Sequence, residues 1–165
     1  MTWQCPDCGR THDDLPVCFG IEAPWRALVP EDEFESRVEL TPDQCVVDES
    51  QFFVRGHIEV TIHGHDEPLS FSVWSSLSEK SFLHMGDRWE EPDRGLDPPY
   101  FGWLCSPIHV YPSTLHLKLS VQSRPPGQTP LFTVEPMDHP LAIDQHQGIT
   151  IARWHELAHQ LLHAE

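Results

Sequence analysis

The sixteen prolines constrain this chain more than any other feature. Each fixes its own φ and lacks a backbone donor, which argues against long uninterrupted helices and for strands joined by structured loops. The apolar patterning inside that limit is short and alternating. Ile58, Val60 and Ile62 face one way and His57, Glu59 and Thr61 the other, the period of a half-buried strand. Leu69, Phe71 and Val73 repeat the pattern, with Trp74 on the opposite face. Residues 44–48 read as a short buried strand. Residues 114–121 read as a strand with Leu115, Leu117, Leu119 and Val121 inward, and 131–135 as its return across an Arg124-Pro125-Pro126-Gly127 turn. Gly56 inside the 52–62 run implies a bulge or a close backbone approach.

Helices are fewer. Ser76-Leu77-Ser78-Glu79 fits a capping box with Ser76 as N-cap, and Phe82, Met85 and Trp89 follow at helical spacing, which predicts a helix over 77–90. His139-Pro140 opens a second, short helix. Thr150 caps a third, running to about residue 163, whose apolar face is Ile151, Trp154, Leu157, Ala158, Leu161 and Leu162. Residues 13–43 read as loop with a short helix near 31–37, and Phe101-Gly102-Trp103-Leu104 as an aromatic turn. A chain of 165 residues with 39% hydrophobic residues and six tryptophans suits one domain with a real core. The expected class is α+β: a mainly antiparallel sheet of about five strands flanked by two to three helices over 21–165, with residues 1–20 forming a zinc-knuckle-like segment.

That segment carries the most pointed chemistry. Cys5 and Cys8 stand two residues apart, Gly9 permits the tight turn such a pair needs, and His12 follows. Zinc in a structural site takes thiolate and imidazole in a closed tetrahedron. The expected ligands are Cys5, Cys8, His12 and Cys18, holding Zn2+. The spacing of the last pair is not a standard one, so Cys45 or a C-terminal histidine is the alternative fourth ligand. A redox role for the pair is disfavoured, because no strand precedes it.

Other constellations are weaker. His57, His63 and His65 gather in one polar stretch, where solvated histidines are the ordinary outcome. His155-Glu156-Leu157-Ala158-His159 matches the H-E-x-x-H of zinc hydrolases. His155 only borders the apolar face of its helix and His159 steps away from it, so that reading is disfavoured. A net charge of −16 disfavours nucleic acid and anionic membranes as partners, leaving a protein partner or plain solubility. The start of the chain has neither a basic nor an apolar leader region, and no stretch has the run of apolar residues a membrane helix needs. The five cysteines are then expected to be reduced, in a cytoplasm.

Several segments taken together are specific: Cys5-x-x-Cys8-Gly9-x-x-His12, Asp43-x-Cys45-x-x-Asp48, Phe53-x-Arg55-Gly56, Trp74-x-Ser76-Leu77-Ser78-Glu79, Gly102-Trp103-Leu104, Tyr111-Pro112-x-Thr114-Leu115, and His139-Pro140-Leu141-Ala142 with Gln145 and Gly148-Ile149. Through them the chain resembles, over nearly its whole length, a bacterial family of small cytoplasmic proteins known as a domain of unknown function. The resemblance implies no activity, substrate or partner; Cys18, His155 and His159 fall outside it. The expected function is a non-enzymatic role in protein interaction or regulation. The alternative is a small-molecule enzyme with a pocket around Glu79, His139 and Gln145, edged by Trp74, Trp103 and Tyr111, although these supply no legible nucleophile and base.

Overall fold

The computed structural model describes residues 3–4, 11–12 and 17–162. Strands β1 (Trp3–Gln4) and β2 (Thr11–His12) pair antiparallel, Trp3 opposite His12. Strand β3 (Cys18–Gly20) follows, then a 3-10 turn at Pro24–Ala27, a second at Glu31–Glu33, and the single-turn α1 (Phe34–Arg37). Next come β4 (Val38–Leu40), β5 (Gln44–Val47), β6 (Gln51–Val60), β7 (Leu69–Leu77), α2 (Glu79–Asp87) and β8 (Tyr100–Trp103). The chain continues through β9 (Lys118–Gln122), β10 (Leu131–Val134), α3 (Pro140–Gln147) and α4 (Ile151–Leu162). No helix among the described residues is long and apolar enough to cross a membrane.

The class is mixed α and β, but the sheet differs from the one expected. It is an open sheet of eight strands in the order β3-β7-β6-β10-β9-β8, with β4 and β5 branching from β6. It is mixed: β3 runs parallel to β7, and β10 parallel to β6. Strands of three residues such as β3 and β4 are too short to show a period, and long-range parallel pairing leaves no local mark. One edge of β6 is covered by β7 over nine residue pairs. The other is shared: β5 takes Gln51–Val54, and β10 takes His57 and Ile58. The handover falls at Arg55-Gly56, where Arg55 N–H donates to Asp43 O (2.9 Å) and His57 N–H to Pro130 O (3.0 Å). Gly56 is there because of a close approach: a Cβ on it would stand 2.5 Å from the Phe132 ring.

Both faces of the sheet are buried. Ile58, Val60, Leu69, Phe71 and Val73 pack with Met85 of α2, Leu141 of α3 and Trp154 and Leu157 of α4. On the other face Phe53 and Trp74 pack with Ala23, Trp25, Val29, Val38, Cys45 and Val47. Burying side chains of this size is worth about 1.5–3 kcal/mol each before entropy is counted.

Three local expectations are corrected. The Phe101-Gly102-Trp103 segment expected as an aromatic turn is strand, because β9 pairs with it along Tyr100–Trp103. Strand β7 runs on to Leu77, because Phe52 pairs with it, so the cap of α2 shifts to Ser78, whose Oγ accepts from Ser81 N–H (3.1 Å). Residues 114–117 are not strand. Thr114 spends its hydroxyl on Ser106 O (3.0 Å) and Ile108 N–H (2.9 Å), and His116 takes φ +69°, which breaks the alternation. Leu115, expected inward, is 49% exposed.

Candidate functional site

The sheet curls until β8 meets β7 through an isolated bridge between Ser75 and Leu104. Gly102 permits this: a Cβ on it would stand 2.0 Å from Ser75 Oγ and 2.5 Å from the Ser76 carbonyl. Trp103 N–H donates to Ser76 Oγ (3.2 Å) and Cys105 N–H to Trp74 O (2.8 Å). The contact sets Trp103 at the surface, edge-on to Phe101 at 5.1 Å between ring centres.

Beside Trp103 lies a groove of about 460 Å3, walled by Pro24, Ala27, Leu28, Phe53, Trp103 and Leu115, with Gln51, Ser76, Cys105 and His116 as its polar members. Each wall has a local cause. Pro24 starts a 3-10 turn that buries Trp25, and Val29 is buried behind it, so Leu28 between them faces out. Leu115 is delivered by the 106–116 segment, which is pinned from behind. Tyr111 Oη donates to Asp144 Oδ2 (2.6 Å), and Arg153 stands 3.5 Å from the same carboxylate. Burial and that carboxylate push the Tyr111 hydroxyl far above its ordinary range, so it stays a donor. His139 accepts from Leu141 N–H through Nδ1 (3.1 Å), which leaves Nε2–H to donate to Pro112 O (2.5 Å).

Among the described residues no aspartate, glutamate, lysine or arginine lines the groove. Cys105 is its one thiol, and burial raises its pKa, so it stays protonated and contributes a soft apolar wall. The arrangement receives an apolar group; it does not assemble a nucleophile with a base. Leu28 (40%), Trp103 (40%) and Leu115 (49%) keep much of their surface exposed in the free protein.

The three residues of the enzyme alternative are not brought together here. Glu79 sits exposed on the first turn of α2. His139 is occupied as the N-cap of α3. Gln145 donates to Phe132 O (2.8 Å) and accepts from Val134 N–H (2.7 Å), continuing the ladder along an edge of β10. Of the edging residues Trp103 lines the groove, whereas Trp74 is buried and donates Nε1–H to Ile21 O (3.1 Å). Among the described residues no group of three or more histidine, cysteine, aspartate or glutamate side chains is placed to hold a metal. Cys5 and Cys8 lie outside the described residues, His12 is described by its backbone in β2, and Cys18 is exposed at the start of β3. His57 meets Thr129 Oγ1 (2.6 Å), His63 meets Gln147 O (2.9 Å) and His65 meets Glu67 O (3.0 Å), three separate partners. His155 and His159 sit half-buried along α4.

Leu28 and Leu115 were not singled out by pattern as surface groups: one lies in a stretch that reads as loop, the other in a false alternation. The local signal that existed was Gly102 between two aromatic residues.

The family model described as an uncharacterized protein conserved in bacteria (DUF2199) matches residues 4–149. No curated protein and no solved structure matches the chain.

Proposed function

The chain belongs to this bacterial family, and from that premise we propose that it is a non-enzymatic cytoplasmic binding protein whose groove beside Trp103 takes an apolar side chain from a protein partner. The observation that carries this is the mainly apolar groove with Leu28, Trp103 and Leu115 exposed together. A small molecule in so open a site would keep much of its surface in water, whereas well-formed ligand pockets bury most of their ligand. A partner protein seals such a groove with its own surface, and exposed clustered apolar groups mark that use. The net charge of −16 disfavours nucleic acid in the role and is compatible with a protein partner.

The second part of the proposal is a structural zinc on Cys5, Cys8, His12 and Cys18. Its support is the donor chemistry and the pairing of β1 with β2 on either side of residues 5–10. Elemental analysis of tag-free protein beside a Cys5→Ser, Cys8→Ser double variant tests it. About one zinc per chain, lost with thermal stability in the variant, is expected; zinc retained in the variant refutes this ligand set.

For the groove, a photo-crosslinking residue at position 115 in the native bacterium should yield a discrete protein adduct that disappears when Leu28→Asp is added. An adduct indifferent to Leu28→Asp, or no adduct alongside an apolar molecule that co-purifies, ends the protein-partner reading.

A further inference from the structure

Six of the seven described arginines lie within 4 Å of at least one carboxylate. All six are partly exposed. Arg94 is the seventh. It is 7% exposed, the most buried of them, and has no carboxylate within that distance among the described residues. Main-chain carbonyls hold it instead: Nε donates to Arg124 O (2.6 Å), Nη1 to Trp89 O (2.7 Å), and Nη2 to Gln128 O (2.9 Å) and Pro125 O (3.3 Å). Those bonds use four of its five N–H donors and leave one on Nη1. Carbonyl dipoles orient a guanidinium but do not neutralise it, and an uncompensated buried charge is expensive. In a chain with 26 acidic residues, a missing partner is not a shortage of carboxylates.

Arg94 lines a crevice of about 340 Å3 that opens where the edge of β6 passes from β5 to β10. Arg55 lines it too, but its charge is met by Asp43 (3.3 Å). Glu90, also lining, is exposed. Trp89, Pro126 and Pro130 give the crevice an apolar side. We propose that this crevice binds a small organic acid, its carboxylate supplying Arg94 with the counter-charge the fold omits and its apolar body lying along Trp89 and the prolines. Asp43 already pairs with Arg55 and Glu90 is exposed, so a single negative charge matches the guanidinium of Arg94, while the two lining carboxylates repel a polyanion. The net charge of −16 works in the same direction.

The test titrates benzoate and inorganic phosphate separately into the full chain at low ionic strength, following the Arg94 Nε–H and Trp89 indole signals by NMR. Benzoate should shift both saturably, bind more tightly than phosphate, and bind at least roughly tenfold more weakly to Arg94→Gln. Glu90→Gln should strengthen benzoate binding roughly threefold by removing a like charge from the wall. Absence of a saturable benzoate shift, tighter binding of phosphate, or equal affinity in a folded Arg94→Gln would overturn the proposal. Should Arg94→Gln not fold, the exposed Glu90→Gln variant decides: unchanged benzoate affinity there also overturns it.

Discussion

Replacing Gly102 by alanine tests the contact that shapes the groove. The new methyl would sit 2.0 Å from Ser75 Oγ, 2.5 Å from Ser76 O and 3.3 Å from Val121 Cγ2. Ser75 Oγ can rotate away, at the cost of its bond to Ser76 O (2.9 Å). The Ser76 carbonyl cannot, because it belongs to β7. Strand β8 must therefore retreat by most of an ångström, which stretches the Trp103–Ser76 and Cys105–Trp74 hydrogen bonds. Two weakened bonds at about 0.5 kcal/mol each, with overpacking strain of about 1–3 kcal/mol, put the loss at about 3 kcal/mol. For a chain of this length that lowers the melting temperature by roughly 6–12 °C. Gly86→Ala is the control, since a Cβ there meets nothing within 4 Å and the position lies inside α2. It should stabilise by about 0.5–1 kcal/mol. Urea unfolding followed by circular dichroism reads both. A Gly102→Ala variant within about 0.5 kcal/mol of the wild type would refute the close approach of β8 to β7 and the groove built on it.

Three further outcomes are expected. Burial first, then the charges of Arg55 and Arg124, lower the His57 pKa in the folded state below its ordinary 6.5, with Glu59 opposing. The unfolded chain then binds the proton more readily, so stability is full above 6.5 and falls as pH drops below it; His57→Gln should flatten that limb of a stability–pH curve. Burial pushes the Cys45 thiol up to about 11, and it is fully buried while Cys18 is exposed. Site-resolved mass spectrometry after iodoacetamide at neutral pH should find Cys45 alkylated only after unfolding, and Cys18 alkylated in folded protein stripped of metal by a chelator but protected where zinc is bound. Tyr111→Phe removes the hydroxyl that binds Asp144 and should cost about 1–3 kcal/mol in urea unfolding, with the Leu115 segment showing faster amide exchange.

Alternation carried most of what could be read from the chain. Ile58 and Val60, then Leu69, Phe71 and Val73, face the main core as their period demands, and Trp74 is buried on the other face, where Trp25 and Val29 cover it. In α4, Trp154, Leu157 and Ala158 are buried on the predicted side, while Leu162 at its end stays 41% exposed. What failed was decided by partners distant in sequence. Ser76 looks like a cap until Trp103 claims its hydroxyl, and Leu115 looks like core until His116 turns left-handed. The groove was illegible because five separated segments build it, and each of its residues alone reads as ordinary core or loop. Arg94 was equally silent, since its meaning lies in which carboxylates fail to reach it.

The shared edge of β6 also sets an order of assembly. Its pairings with β5 and β7 are hairpins between chain neighbours, so they close short loops and can form early. The pairing of His57 with Leu131 must wait until a far longer loop closes, and it brings β9 and β8 with it. Gly56 then becomes a kinetic checkpoint as well as a packing site. Crowding it with a side chain should slow the late docking of the β8–β10 unit and leave the early hairpins intact, so refolding would stall with one half of the β6 edge paired and the other still bare.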